Sequence, residues 1–310
     1  MITILMAAYN GEKYIEKQIE SILNQTETDW KLVIQDDCSS DATYQIASRY
    51  AQKHPNKITA VKRVKNSGSA ANNFFSMLTY ADGDYVMFCD DDDVWLPNKI
   101  EKSMEMMRKE EQKNGIDKPV LVHSDLVVVD ENLNILSRSM FQRQNLDAKR
   151  CRLHNILVQN IVTGCTMAVN RSLIRMVTKT EMPEKAIMHD WWFALIASAF
   201  GTIAFVDTPT VLYRQHGKNA VGAKNANSIT YNFKRLIQPM QAKTALDNTY
   251  LQAQEFMEHY SRMLDEKSLR LVKDFATIPY LSKIQKIRML HKHGFWKSGF
   301  YRKCGQILFI

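Results

Sequence analysis

The sequence predicts an α/β fold, in which a mostly parallel sheet is flanked by helices and followed by a C-terminal helical extension. Strand and helix patterns alternate over the first 90 residues, the strand segments are nearly continuous apolar runs, and the last third is helical and basic. Apolar runs are typical of strands buried on both faces, and their alternation with helices favours a parallel sheet. We expect one domain over residues 1–222 and a basic helical region over residues 223–310.

The alternation begins at the first residues. Residues 2–8 predict a strand, Asn10 and Gly11 end it, and apolar residues at helical spacing predict a helix over 12–23. Further strands are predicted at 31–34, 57–64, 84–89, 120–129, 162–169, 202–206 and 210–214. Further helices are predicted at 41–53, 69–80, from about 190, and beyond about 221 with breaks at Pro239, Pro279 and Gly294.

Composition restricts the class of protein. The 310 residues are 45% apolar and 24% charged, which argues against a disordered or fibrous chain. Five scattered cysteines without a CxxC pair argue against a disulfide framework or zinc site and fit a reducing cytoplasm. No signal peptide pattern precedes the first strand, and the apolar run 191–206 is shorter than the roughly 20 residues of a membrane helix. We read that run as a buried helix followed by a strand.

The basic charge is confined to the last third. From residue 221 onward there are 15 Lys or Arg against 6 Asp or Glu, a charge of +9, whereas the whole chain carries +8. Residues 278–310 mix basic and apolar side chains at helical spacing, which favours contact with an anionic membrane surface. A docking helix or an oligomer interface, such as a homodimer, remains the alternative. We expect no nucleic acid, since no recognition motif accompanies the charge.

Acidic clusters end two of the predicted strands, where parallel sheets bind ligands. Asp90, Asp91, Asp92 and Asp93 follow a buried strand and repel one another unless a cation or solvent compensates them. Mg²⁺ typically takes one or two carboxylates together with substrate phosphates. The tetrad therefore predicts a metal–diphosphate site, with a solvated acidic turn as the alternative. An EF-hand is a poor alternative, because the glycine and distal glutamate expected of that loop are missing.

Three weaker patterns accompany the tetrad. Asp36 and Asp37 could accept a hydrogen bond from a uracil or thymine ring, or could only shape a turn. Asp190 begins a very apolar helix, where it could act as a general base or as an N-cap. His216 ends a strand-like segment beside Arg214, a combination suited to a diphosphate and its metal.

Together these motifs resemble family 2 glycosyltransferases with the GT-A fold. The resemblance runs from Met1 to about residue 222. Its motifs are Ala7-Ala8-Tyr9-Asn10-Gly11, Asp36-Asp37-Cys38-Ser39-Ser40-Asp41 with Cys38 where glycine is commonest, the DXD motif Asp90-Asp91-Asp92, and His189-Asp190-Trp191.

A narrower set of motifs resembles the bacterial rhamnosyltransferase branch. They are Asp92-Asp93-Val94-Trp95, His123-Ser124-Asp125, Thr163-Gly164-Cys165, Asp190-Trp191-Trp192 and Tyr213-Arg214-Gln215-His216-Gly217. This resemblance implies dTDP-β-L-rhamnose as donor and a growing, lipid-linked cell-surface polysaccharide as acceptor. The alternatives are a UDP-hexose donor (glucose, galactose or N-acetylglucosamine), a catalytically silent sugar-nucleotide-binding scaffold, and a nucleotidyltransferase. A Rossmann oxidoreductase is disfavoured, because no G-x-G-x-x-G follows the first strand.

The resemblance also implies a role for each site residue in an inverting single displacement. Asp190 is the expected catalytic base. Asp92, helped by Asp90, and His216 are the expected ligands of Mg²⁺ or Mn²⁺. The expected nucleotide and donor contacts are Ala8, Tyr9, Asn10, Asp36, Asp37, Asp90, Asp91 and Arg214. The acceptor-side candidates are Gly164, Cys165, His189, Trp191 and Trp192.

Overall fold

The computed structural model describes residues 1–217 and 239–310, which form strands and helices as follows. The strands are β1 (Ile2–Ala8), β2 (Trp30–Asp36), β3 (Ile58–Lys62), β4 (Tyr85–Asp90), β5 (Val94–Trp95), β6 (Val120–Ser124), β7 (Val127–Val129), β8 (Ile135–Ser137), β9 (Ala168–Asn170), β10 (Thr202–Val206) and β11 (Val211–Arg214). The helices are α1 (Ile15–Leu23), α2 (Thr43–Lys53), α3 (Ala70–Met77), α4 (Lys99–Asn114), α5 (Met140–Gln144), α6 (Leu153–Ile156), α7 (Arg171–Val177), α8 (His189–Phe200), α9 (Pro239–Tyr260), α10 (Glu266–Ala276), α11 (Lys283–His293) and α12 (Phe300–Phe309).

A seven-stranded sheet forms the centre of the fold. Its strand order is β10-β6-β9-β4-β1-β2-β3, and every pairing is parallel except those of β9. Apolar side chains of β1, β2 and β4 are buried on both faces, because helices cover the sheet on each side. The expected mostly parallel α/β architecture with a helical C-terminal part is confirmed.

The predicted strand over 120–129 is wrong, because two strands with a turn between them occupy this range. Asp125 forms the turn by accepting hydrogen bonds from the backbone N–H groups of Leu126 (2.8 Å) and Met140 (3.0 Å). β6 therefore joins the large sheet, while β7 joins a four-stranded sheet of order β5-β11-β7-β8. This small sheet places β11 beside β5, directly after the acidic tetrad.

The predicted strand over 162–169 is also wrong. A 3₁₀ turn, Gly164–Thr166, takes up its centre, and only Ala168–Asn170 pairs with β4 and β6. The backbone N–H of Gly164 donates to the Asp190 carboxylate instead of to a strand. The Asp190 carboxylate thus takes the place of the backbone carbonyl that would accept this N–H in a β-sheet.

The run 191–206 forms a buried helix followed by a strand, as predicted. Trp192 on α8 packs against Phe256 and Tyr260 of α9, which joins the C-terminal helices to the core. Two of the predicted helix breaks lie between helices. Pro279 falls in the turn after α10, and Gly294, at φ 70°, follows α11. The third, Pro239, is the first residue of α9. The expected boundary at residue 222 lies outside the described residues. Within those residues, no helix has the length and apolar character needed to cross a bilayer.

Candidate active site

The sheet brings the two acidic clusters together at one edge. β1 lies between β2 and β4, and the register sets Ala8 opposite Asp36 and Ala7 opposite Asp90. Parallel strands place their carboxyl ends on the same side, so the segments that follow β1, β2 and β4 share a single edge. This is the edge at which the sequence predicts a nucleotide–metal site.

Two members of the acidic tetrad hold its turn in place. Asp91 Oδ2 accepts the backbone N–H of Tyr9 at 2.9 Å, and Asp93 Oδ1 accepts that of Arg214 at 3.0 Å. A Cβ atom at Gly11 would lie 2.3 Å from Asp91 Oδ2, so only glycine fits beside this carboxylate. Asp93 is fully buried and the other three are only partly exposed, which does not fit a solvated turn.

Asp92 and His216 form a close carboxylate–imidazole pair. Asp92 Oδ2 lies 2.8 Å from His216 Nε2, and the imidazole stacks on Tyr14 at 5.0 Å between ring centroids. Carboxylate oxygen and imidazole nitrogen are ligand atoms of divalent cations, so the pair fits a Mg²⁺ or Mn²⁺ site. A carboxylate oxygen each from Asp90 and Asp93 and the Cys165 sulfur also lie within 4.8 Å of one another.

Arg214 is held by contacts around the tetrad turn. Its Nε donates to the Asp92 carbonyl at 2.7 Å, its Nη1 donates to the Glu131 carbonyl, and its guanidinium lies over the Tyr14 ring at 4.7 Å. Only 1% of the residue is exposed. Arg214 therefore helps to hold the turn that carries Asp92 and Asp93.

Burial makes the tetrad costly when it is fully ionised. Burial, together with the charges of Asp92 and Asp190, raises the pKa of Asp90 to about 7. Burial also raises the pKa of Asp91 and of Asp93, with the Asp92 charge next in importance. A bound cation relieves both effects, because it stabilises the ionised carboxylates.

The carboxylates after β2 have different surroundings. Asp37 accepts hydrogen bonds from the Ser67 N–H (2.8 Å) and hydroxyl (2.6 Å), and the Arg63 guanidinium lies 3.1 Å away. Asp36 Oδ2 accepts the Ser39 N–H at 3.2 Å, while its Oδ1 is buried and has no hydrogen-bond partner among the described residues. Asp37 thus organises the loop beside it, and Asp36 retains an unused acceptor.

The segment after β1 completes this edge. Ala8 is buried, and its carbonyl accepts the Asp37 N–H at 2.9 Å. Asn10, at φ 52°, donates its N–H to Ser39 Oγ. Tyr9, the residue before it, is 56% exposed. Cys38 has φ 63°, a left-handed conformation that favours glycine and accounts for glycine being commonest there in the resembled family.

Asp190 lies in the first turn of α8, close to the tetrad. Its Oδ1 accepts a hydrogen bond from Asn160 Nδ2 at 3.0 Å and its Oδ2 accepts one from the Gly164 N–H at 2.9 Å. The helix begins at His189, so Asp190 is not its N-cap. Burial raises the pKa of Asp190 to about 7, which suits a general base that works near neutral pH.

The acceptor-side candidates occupy different environments. His189 is buried against Phe74 at 4.0 Å, and burial lowers the pKa of its imidazole to about 3. A Cβ at Gly164 would lie 2.8 Å from that imidazole, so glycine is required there. Trp191 is partly exposed and donates from Nε1 to the Ile156 carbonyl at 2.6 Å.

Two of these candidates are fully buried. Trp192 lies in the core against α9, a position that favours a packing role over contact with an acceptor. The Cys165 thiol lies among the tetrad carboxylates, and burial raises its pKa.

Several site residues have no signal in the sequence. Asn160 donates to a carboxylate 30 positions away, and Tyr14 contacts both Arg214 and His216 from the position just before α1. Arg63 and Ser67 reach Asp37 in the same way. Each is a single residue outside any motif, and only the folded chain brings it to the site.

Comparison with solved structures identifies the fold. S. aureus TarS 1–349 in complex with UDP-GlcNAc matches at a TM-score of 0.56 and 17% identity, over 94% of this chain and 80% of that one. Mannosyltransferase PcManGT from Pyrobaculum calidifontis, in complex with GDP-Man and Mn²⁺, matches at a TM-score of 0.53 and 17% identity, over 99% and 83%. The fold is that of GT-A glycosyltransferases.

Sequence comparison gives the family. The model for glycosyl transferase family 2 matches residues 3–176, so the chain belongs to that family. The dTDP-rhamnosyl transferase RfbG of Shigella flexneri is 30% identical over 242 residues, which cover 74% of this chain and 78% of RfbG. The expected resemblance to family 2 and to a rhamnosyltransferase is confirmed.

Proposed function

We propose that the chain is an inverting, metal-dependent glycosyltransferase that moves L-rhamnose from dTDP-β-L-rhamnose to a growing, lipid-linked cell-surface polysaccharide. The observation that carries the proposal is the position of Asp190, a buried carboxylate with a pKa of about 7 whose charge acts on Asp90 of the tetrad. A proton acceptor thus stands next to the group of carboxylates suited to a metal–diphosphate.

Asp190 takes the proton of the attacking acceptor hydroxyl in this proposal. The acceptor oxygen forms a bond to the anomeric carbon, and the bond from that carbon to the diphosphate oxygen breaks on the opposite face. The sugar then has the inverted configuration, and dTDP leaves with the electron pair. Asp36, with its unused Oδ1, and the exposed Tyr9 are the proposed contacts of the nucleotide base.

Asp92 and His216 would hold Mg²⁺ or Mn²⁺, with Asp90 beside them. The 2.8 Å separation of Asp92 Oδ2 and His216 Nε2 supports this assignment. The bound ion would supply Lewis-acid stabilisation of the charge that builds on the leaving diphosphate. Asp91, Asp93 and Arg214 keep the turn in the conformation that presents these ligands.

The donor assignment is supported by the likeness to RfbG over most of both chains. The second candidate is the same chemistry with a UDP-hexose, which is favoured by the likeness in fold to TarS bound to UDP-GlcNAc. A catalytically silent scaffold is disfavoured, since silence would not require a buried Asp190 with a raised pKa. A buried carboxylate that is costly to ionise fits a catalytic role better than a silent scaffold.

The C-terminal helices are the proposed membrane contact, at the inner face of the cell membrane. Ile284 is 66%, Phe300 74%, Tyr301 62% and Leu308 55% exposed. Seven Lys or Arg and no Asp or Glu follow Asp274, so this apolar surface carries positive charge suited to anionic lipid. Flotation with phosphatidylglycerol vesicles tests it, and we expect Phe300→Ser with Tyr301→Ser to reduce binding at least tenfold. No vesicle binding by the unaltered chain would overturn the membrane contact. A dimer in light scattering that dissociates when Phe300 and Tyr301 are both replaced by serine would assign this surface to a homodimer contact instead.

A donor panel tests the class and the sugar. The purified chain is incubated with Mn²⁺ or Mg²⁺ and each of dTDP-rhamnose, UDP-glucose, UDP-galactose and UDP-N-acetylglucosamine, and nucleoside diphosphate release and thermal stabilisation are measured. Metal-dependent response to dTDP-rhamnose alone supports the proposal, and response to a UDP-sugar overturns the donor. Pyrophosphate as the product would indicate a nucleotidyltransferase, and silence throughout would favour the scaffold.

Asp190→Asn tests the base. We expect dTDP release to be abolished while donor affinity with Mn²⁺ stays within about threefold of the unaltered chain. The control is Asp207→Asn, at an exposed position after β10. Turnover near that of the control would refute the assignment.

A further inference from the structure

The Asp190 carboxylate accepts hydrogen bonds on both of its oxygens, from Asn160 and Gly164, and a further one from the backbone N–H of Trp191. Gly164 donates from the backbone, but Asn160 donates from a side chain, at 3.0 Å. A carboxylate whose two oxygens are both fixed cannot rotate freely about its last torsion. Its remaining lone pairs then point in a set direction, as a positioned base requires.

Asn160 is itself held in place by its own loop. Its Nδ2 also donates to the Val162 carbonyl at 2.8 Å, and its Oδ1 accepts the Val162 N–H at 3.0 Å. These two bonds to Val162 therefore fix both ends of the amide independently of Asp190. The hydrogen bonds also determine which end of the amide faces the carboxylate.

The C-terminal region holds the same loop from the outside. The Ser298 N–H donates to Gln159 Oε1 at 2.7 Å, next to Asn160 in the chain. The Arg150 guanidinium also donates to the Trp296 carbonyl, while Gln306 ties Phe295 to Lys297 through both ends of its amide. Phe295 is fully buried, so this segment is part of the core.

We infer that Asn160 is a positioning residue for Asp190, and that the Ser298–Gln159 hydrogen bond makes the C-terminal helical region a structural part of the base's support. The inference rests on the proposed function, in which Asp190 is the base. It assigns to the C-terminal region a role in turnover that is separate from membrane contact.

The charged and hydrogen-bonding groups around Asp190 determine its pKa, so the inference can be tested by the pH dependence of turnover. Asp90 is the ionisable neighbour whose charge interacts with it, while His189 beside it is neutral because burial lowers the pKa of its imidazole to about 3. Burial raises the pKa of Asp190, and the hydrogen bonds from Trp191, Gly164 and Asn160 lower it. Loss of the Asn160 donor therefore moves this pKa upward, and the base is ionised only at higher pH.

Asn160→Ala is the first variant, with dTDP release from dTDP-β-L-rhamnose, water being the acceptor, as the assay. We expect kcat at pH 7 to fall at least tenfold, donor KM to change less than threefold, and the acidic limb of the kcat profile to move to higher pH. The deficit is then smaller at pH 9 than at pH 7. The control is Asn114→Ala, which removes a surface amide that donates to the Glu110 carboxylate at 3.0 Å.

Two results would overturn the assignment of Asn160. One is a kcat profile like that of the Asn114→Ala control, and the other is an equal loss at every pH together with a raised donor KM. Failure of the proposed function is distinguishable, because the unaltered chain would then release no dTDP, or Asp190→Asn would remain as active as the unaltered chain. An inactive Asp190→Asn with a fully active Asn160→Ala rejects only the positioning role.

Gln159 tests the link to the C-terminal region. Gln159→Ala removes the acceptor of the Ser298 N–H, whereas Gln159→Glu retains an oxygen at that position. We expect the alanine variant to lose several-fold in kcat at pH 7 with vesicle binding unchanged, and the glutamate variant to recover most of the loss. Equal kcat in the two variants would overturn the link.

Discussion

Replacement of Asp190 by asparagine is expected to stabilise the fold at alkaline pH while it removes activity. A carboxylate with a raised pKa in the folded chain binds its proton more tightly there than in the unfolded chain. The resulting stability is fully present below the unfolded pKa of about 4 and is lost as the pH rises through the folded value of about 7. Asparagine does not titrate, so the variant does not lose this stability.

The structure gives the size of the effect. Burial raises the pKa of Asp190 from 3.8 to about 7, a difference of about 3 units, which corresponds to about 4 kcal/mol at most. The amide of Asp190→Asn can accept a hydrogen bond from only one of Asn160 and Gly164, whereas the neutral acid keeps acceptor capacity on both oxygens, so the variant loses a hydrogen bond worth about 1 kcal/mol. We therefore expect the variant to be about 1 kcal/mol less stable at pH 4 and up to about 3 kcal/mol more stable at pH 8.

Thermal unfolding in chelator, without divalent cations, measures this difference. At about 2 °C per kcal/mol for a chain of this size, Asp190→Asn should raise Tm by up to about 6 °C at pH 8. Asp207→Asn, at the surface, is the matched control and should show no such pH-dependent gain. A Tm difference between Asp190→Asn and the unaltered chain that is the same at pH 5 and pH 8 would refute the reasoning, since burial would then not penalise the charge.

Three further perturbations follow from single contacts. Gly201→Ala would place a Cβ 1.8 Å from the Pro119 carbonyl oxygen and should lower stability by about 3 kcal/mol or more, whereas Gly305→Ala, with open space around it, should leave Tm unchanged or raise it slightly. His216→Gln should raise the Mn²⁺ concentration for half-maximal dTDP release about tenfold, or about 1.4 kcal/mol, and an unchanged metal titration would exclude His216 as a ligand. Trp192→Ala should lower the free energy of unfolding in urea by about 3–5 kcal/mol, because it leaves a cavity between α8 and α9. A small decrease would mean that the two helices pack independently of Trp192.

The central sheet could be predicted because its signal is local. Each of β1, β2 and β4 is an apolar run whose burial on two faces follows from composition alone. The positions of the acidic clusters followed as well, since strands that run in parallel end at a common edge. The split at Asp125 could not be predicted, because the apolar pattern continues across it and only the side chain's bonds to Leu126 and Met140 turn the chain.

Individual roles within the site depended on contacts that the sequence does not show. The four adjacent aspartates look alike in sequence, but Asp91 and Asp93 bind the backbone N–H groups of Tyr9 and Arg214. The two tryptophans after Asp190 are equally ambiguous. Adjacent helical positions face about 100° apart, so only one of them can meet α9, and the structure shows that it is Trp192.

The C-terminal region has two proposed roles, membrane contact and support of Asp190, and a truncation would not separate them. Removal of residues 295–310 would take away buried Phe295 and the Ser298 hydrogen bond to Gln159, as well as the exposed side chains of Phe300 and Tyr301. Loss of activity in such a truncation would follow from the disturbed Asp190 support even if the chain never met a membrane. Substitution of Phe300 and Tyr301 alone leaves the Ser298 backbone bond in place, so reduced vesicle binding with unchanged dTDP release separates the surface from the base.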